Sequence, residues 1–164
     1  SGLLIAAKND FAHQKLSAQL QDHTLARIYR CIVIGNLRED SGTVDAPIGR
    51  HPADRKKMAV VAGGRSAVTH WSVLERFPGY TYVECRLETG RTHQIRVHMA
   101  SLGCPLTGDF LYGYEDRSLI SRPALHSAQL SLRQPVTGQE LSFTLPLPED
   151  MARLLTHQKG EKEP

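Results

Sequence analysis

Alternating strand patterns outnumber helical ones along this chain, which predicts an α+β fold: a mostly antiparallel mixed sheet with a few helices. Turn signals support it, since Gly63-Gly64, Pro78-Gly79 and the stretch holding Pro135 and Gly138 each join two strand patterns. Length agrees as well. With 164 residues, 40% of them hydrophobic, and neither repeats nor low-complexity linkers, one domain can bury a real core.

The run Gly2-Leu3-Leu4-Ile5-Ala6-Ala7 reads as the middle of a buried strand, so sequence is expected ahead of Ser1. Asn9 or Asp10 caps a predicted helix to about Gln21, with Ala12, Leu16 and Leu20 inward. Ala26 to Ile34 alternates as a strand, with Ile28, Ile32 and Ile34 on one face and Arg27, Tyr29, Cys31 and Val33 on the other. Two readings of Tyr29 stand here: a side chain aimed at a site, or a core tyrosine with its hydroxyl satisfied at an edge. Gly35 to Gly49 is loop with a short strand at Thr43-Val44. Four cations then fall within eight residues from Arg50 to Lys57, namely Arg50, Arg55, Lys56 and Lys57, with His51 among them. Such a segment follows a phosphate backbone or is simply a solvated loop. Met58 to Val61 and Ala67 to Arg76, the second arm bearing Trp71, read as a hairpin.

Tyr80 to Glu88 is the next strand, with Val83, Cys85 and Leu87 inward. It leads through Thr89-Gly90 into a helix from about His93 to Leu102, stopped by Gly103, on which Ile95, Met99 and Leu102 form the buried stripe and Arg96 lies off it. Arg91, His93, Gln94 and Arg96 crowd its start, where free N–H groups and the dipole favour a phosphate or carboxylate; a solvated basic face is the alternative. A loop with Gly108-Asp109 and Tyr112-Gly113 follows, then a polar segment from Tyr114 to Ser121 expected to be mobile. Ala124 to Leu132 and Glu140 to Leu145 are two more strands. Pro148 opens a last helix that buries Met151, Leu154 and Leu155, and residues 158–164 are expected to form a disordered tail.

Composition narrows the class. Twenty basic against seventeen acidic residues and a pI near 8.9 are compatible with nucleic acid without requiring it. Cys31, Cys85 and Cys104 are odd in number, widely spaced and in apolar settings, which predicts reduced thiols in a cytoplasmic protein. No CxxC pair occurs, and His93 and His98 point apart on a helix, so no metal site is expected. No apolar run is long enough for a membrane span, and no signal-peptide pattern is present.

The segments SGLLIAAKND, RIYRCIVIG, GTVDAPIGRHP followed by MAV, AVTH, LETGRTHQIRVHMASLGCPLTGDFLYG and LHSAQLSLRQPVTGQE together resemble the RluA-type pseudouridine synthases of ribosomal and transfer RNA. GRTHQIRVH, with GD and YG at this distance, is the specific part. GTVDAPIGRHP is similar to the large-subunit, RluD-like branch. The resemblance runs through Met151 and implies the carboxyl-terminal portion of one catalytic domain, residues 1–157. It implies an enzyme that flips a uridine out of its stack, breaks the glycosidic bond, turns the uracil and joins C5 to the ribose C1′, with no cofactor and no metal. The RNA partner would be ribosomal, or transfer RNA, and the complete enzyme a monomer.

By the same resemblance Tyr29 is the active-site tyrosine that packs on the target base, and Arg96 the basic residue that pairs with the catalytic aspartate. Leu125 lines the substrate pocket; Gln94 is placed there with it, and the basic surface of Arg50, His51, Arg55, Lys56, Lys57, Arg91 and His93 is expected to meet RNA. The family's nucleophilic aspartate lies in RLD-x-x-T-S-G, and this chain starts at that motif's serine. The nucleophile is therefore expected upstream of Ser1, Asp109 is read as a turn residue, and the segment alone is expected to be inactive, with Gly2 to Ala7 at an exposed edge. A non-catalytic RNA-binding module of the same fold is the alternative.

Overall fold

A computed structural model of the chain describes residues 1–114 and 119–160. Helix α1 (Asp10–Gln21) begins where Asn9 caps it, accepting the Ala12 N–H at 2.8 Å, a bond of the kind that contributes about 1 kcal/mol. Then come β1 (Ala26–Ile34), β2 (Ser41–Asp45), β3 (Ile48–Arg50), β4 (Met58–Val60), β5 (Val68–Phe77) and β6 (Tyr80–Leu87). They are followed by α2 (Gln94–Ser101), β7 (Leu125–Arg133), β8 (Glu140–Thr144) and α3 (Glu149–Gly160).

Six strands form one sheet in the order β2-β5-β6-β1-β7-β8, every neighbouring pair antiparallel. This is the α+β architecture that the alternation predicts. Strand β1 lies between β6 and β7, and its two faces feed two cores. Cys31 and Val33 meet Trp71, Val83, Cys85 and Leu106 beneath Ile95 and Met99 of α2. Ile32, on the other face, packs with Ile120, Ala124 and Met151 and Leu154 of α3. Gly42 stands opposite Trp71 across β2 and β5, where an added Cβ would come within 2.6 Å of the indole, so a larger residue would displace the ring.

Four expectations are corrected. Strand β4 does not pair with β5, whose two edges are taken by β2 and β6; it pairs with β3 in a separate two-stranded ribbon. The basic run is thus the tip of a hairpin, and Ile48 at its root packs with Ala67 and Val97 of α2. The Gly2 to Ala7 run is not a buried strand. Gly2, at φ +102°, makes a single parallel bridge to Ser127, its Cα so close that an added Cβ would lie 2.3 Å from the Ser127 carbonyl, and Leu4 is left 89% exposed at the edge. Leu102 is the C-cap of α2, off the helical screw and 40% exposed, while Val97 and His98 are buried. Helix α3 continues to Gly160, past the expected start of the tail. Residues 115–118 of the polar loop and 161–164 of the tail lie outside the described residues.

Candidate active site and nucleic-acid interface

Strand β6 delivers the chain to a turn that Gln94 holds in place. Gln94 is buried, and its amide donates to the Val68 carbonyl (3.0 Å) and Thr69 Oγ1 (2.9 Å) while its oxygen accepts from Thr89 Oγ1 (2.7 Å) and the Arg91 N–H (3.0 Å). Both donors and both acceptor sites are used inside the fold. Gln94 therefore positions the turn through bonds made inside the fold. His93, the residue before α2, sits in the left-handed region at φ 57°, a conformation that costs about 1 kcal/mol for a residue with a side chain.

One turn into α2, Arg96 grips Asp109 at two points: Nε to Oδ2 at 2.7 Å and Nη2 to Oδ1 at 2.8 Å. Asp109 is fully buried, and Oδ1 also accepts the Leu111 and Tyr112 N–H groups, so the aspartate folds its own turn and takes the guanidinium as well. A charge-assisted fork of this kind is strong, and it raises the Arg96 pKa further. The Tyr112 ring lies 4.9 Å from the guanidinium. Its hydroxyl accepts the Met58 N–H at 2.8 Å and stands 2.8 Å from His93 Nδ1. In the tautomer with the proton on Nε2, His93 Nδ1 accepts the phenolic proton while the Tyr112 oxygen accepts from Met58. Burial, together with the charges of Arg96 and Arg50 and against that of Asp109, lowers the His93 pKa and keeps the ring neutral.

The cations expected to meet RNA divide into two kinds. Arg55 and Lys56 are exposed at the hairpin tip. His51 is a structural residue: its Nδ1 accepts the Ala53 (3.1 Å) and Asp54 (3.0 Å) N–H groups and shapes the tip. Arg50 is exposed as well and donates to the Arg55 carbonyl across the same loop, and Lys57 is half-buried. Arg91 is tied through Nε to the Ser66 carbonyl at 2.7 Å. His93 is bonded to Tyr112 at the root of the same hairpin. Tyr29 and Leu125 share one sheet face: Cys31 is the cross-strand partner of Leu125, Tyr29 that of Ser127, and both side chains pack on the core that α2 covers. Arg96 lies on the helix of that same layer, bonded to Asp109, and no hydrogen bond joins it to Tyr29. The Arg96–Asp109–Tyr112–His93 cluster is the part that sequence reasoning did not assemble; Asp109 three residues before Tyr112 signalled only a turn.

Among the described residues, no group of three or more His, Cys, Asp or Glu side chains could hold a metal ion, and no helix is long and apolar enough to cross a membrane.

The RNA pseudouridylate synthase family profile matches residues 1–101. An uncharacterized RNA pseudouridine synthase YlyB of Bacillus subtilis is 52% identical over 155 residues, covering 94% of this chain and 51% of that protein. Ribosomal large subunit pseudouridine synthase D of Pseudomonas aeruginosa is 47% identical over 176 residues, covering 99% of this chain and 55% of that protein. The chain thus spans about half the length of the curated relatives it matches. Among solved structures, human RNA pseudouridylate synthase domain containing 4 superposes with a TM-score of 0.71 at 26% identity, over 93% of this chain and 69% of that one. Human RNA pseudouridylate synthase domain containing 1 shares the fold, with a TM-score of 0.72 at 23% identity over 96% of this chain and 75% of that one.

Proposed function

We propose that this chain, which belongs to the RNA pseudouridylate synthase family, is the part of a uridine-to-pseudouridine isomerase that grips RNA and aims the nucleophile. The match of residues 1–101 to the family carries the reading, and the Arg96 cluster gives it a chemical centre. Residues 1–157 then form the carboxyl-terminal portion of one catalytic domain in a monomeric enzyme. The relatives named for the large ribosomal subunit favour ribosomal RNA as substrate, and three buried free cysteines favour a cytoplasmic setting.

In this scheme the target uridine is flipped from its stack onto the sheet face that carries Tyr29 and Leu125, with the phenol packed on the base and Leu125 on its apolar side. The nucleophilic carboxylate is supplied by the complete protein, because Asp109 is committed to its turn and to Arg96. Arg96 Nη1 makes no hydrogen bond to the described residues, and it is the nitrogen assigned to hold that carboxylate ionised. The carboxylate adds to the ribose C1′ as the N1–C1′ bond breaks, the uracil turns, and C5 bonds to C1′ as the carboxylate leaves; the C5 proton is then lost to solvent while N1 takes up a proton from solvent. Exposed Arg55 and Lys56 meet phosphates.

The test incubates the complete protein with protein-free large-subunit ribosomal RNA and maps pseudouridine by carbodiimide-dependent reverse-transcription stops. Conversion of a discrete uridine without added cofactor is expected. RNA that is bound but never modified would instead favour a binding module.

A further inference from the structure

Arg27 is half-buried at the start of β1, and its Nε is shielded from solvent with no hydrogen-bond partner. Among the described residues no carboxylate pairs with it. Burial lowers the guanidinium's pKa, with only Tyr29 acting in the other direction. The shielded Nε lacks a partner in the fold, and an anion meeting this guanidinium would form a charge-assisted hydrogen bond that the described residues do not supply.

The surroundings indicate which anion. Arg27 lines a cleft of about 390 Å³ between the end of α1 and the Thr89-Gly90 turn, together with Leu20, His23, Thr89 and Arg91. Arg91 is fixed there by its Nε bond to Ser66, and its two terminal nitrogens make no hydrogen bond to the described residues. The acid in the cleft, Glu88, is engaged by His70, and the Glu88 carbonyl is bonded to His23. Two guanidiniums therefore line one opening, whose one acid, Glu88, has Oε1 held by His70. Gly90 makes the approach possible: a Cβ there would lie 2.5 Å from Arg27 Nη1, so the guanidinium rests against bare backbone.

We infer that the Arg27–Arg91 cleft is a phosphate subsite that holds the RNA backbone beside the target nucleotide. The inference rests on the RNA-modifying function proposed above and adds to it a binding site lined by the Thr89-Gly90 turn, none of whose lining residues belongs to the Arg96 cluster. A phosphodiester matches two forks better than a single protein carboxylate would, and the cleft has room for the attached ribose.

The experiment measures binding of the complete protein to a fluorescein-labelled 20-nucleotide oligouridylate across a salt series, with Arg27→Gln, Gly90→Ala and the wild type compared. Losing one phosphate contact on a single strand lowers the slope of log K against log salt by about 0.7. Arg27→Gln is expected to weaken binding about tenfold at low salt and to show that smaller slope. Gly90→Ala keeps the charge, displaces the guanidinium tip and is expected to reproduce the weakening, with thermal melting near that of the wild type. Wild-type affinity and slope in a folded Arg27→Gln protein would overturn the subsite, as would a loss of melting temperature with binding unchanged, which would mark Arg27 as the partner of a carboxylate within the protein. Failure of the wild type to bind with any salt dependence would defeat the RNA function itself, a result distinct from failure of this cleft.

Discussion

His98 shows how a single buried polar side chain can set the pH range of the fold. It is fully buried in α2, with Nδ1 2.9 Å from Thr69 Oγ1 and Nε2 3.0 Å from the Ala46 carbonyl. Because Thr69 Oγ1 also accepts from Gln94, its proton goes to Nδ1, and the imidazole is neutral with Nε2 carrying the hydrogen. Burial lowers its pKa, against weaker opposing effects from the Ala46 carbonyl and Asp45, and burial likewise lowers those of His93 and His126. Unfolded histidines take protons near pH 6.5, whereas these take them only at lower pH. Below about pH 6.5 the unfolded chain therefore binds more protons, and stability present at higher pH is lost as the pH falls. The melting temperature is expected to drop between pH 7.5 and 5.5. His98→Gln should melt lower at pH 7.5 yet show a flatter pH dependence, and an unchanged slope in that variant would remove His98 as a cause. Sequence showed His98 only as a residue pointing away from His93. The Thr69 and Ala46 partners that fix its tautomer come from distant segments, so no local pattern could reveal them.

At the scale of elements, the β3–β4 hairpin is attached to the rest of the molecule at few points, and Tyr112 is one of them. Its hydroxyl links the Met58 N–H to His93, while its ring stays under Arg96. Tyr112→Phe keeps the ring and leaves one N–H and one ring nitrogen unpaired, a loss of about 1–2 kcal/mol confined to the hairpin root. Amide exchange of residues 57–60 is expected to speed up about tenfold while global melting shifts little; protection equal to the wild type's would show that the hydroxyl does not latch the hairpin. Here sequence went astray for an identifiable reason. Two strand patterns on either side of Gly63-Gly64 look like a hairpin, but the β5 edges are claimed by β2 and β6, partners too distant along the chain for turn chemistry to reveal. By contrast the boundaries of α1, β1, β6 and β7 were legible to within a residue or two, because the Asn9 cap and the strict alternation are local signals.

Over the whole molecule, one six-stranded sheet with a core on each face holds the strand bearing Tyr29, the strand bearing Leu125 and the helix bearing Arg96 in one layered arrangement. Strand order could not be read from the chain, since β1 pairs with β6 and β7 across long stretches of sequence. The basic surface then has two parts: the exposed hairpin tip with Arg55 and Lys56, and the Arg27–Arg91 cleft. The proposed reaction needs both an RNA grip and a carboxylate held by Arg96, and these are separable. Arg96→Lys preserves a positive charge beside buried Asp109 but loses the two-point fork, so the fold is retained while the aim is lost. The decisive measurement is pseudouridine formation by the complete protein carrying Arg96→Lys, made beside RNA affinity on the same preparation. Turnover reduced by about a hundredfold or more with affinity within a fewfold of wild type is expected, in line with the loss of a preorganised charge contact; near-normal turnover would contradict the role given to Arg96.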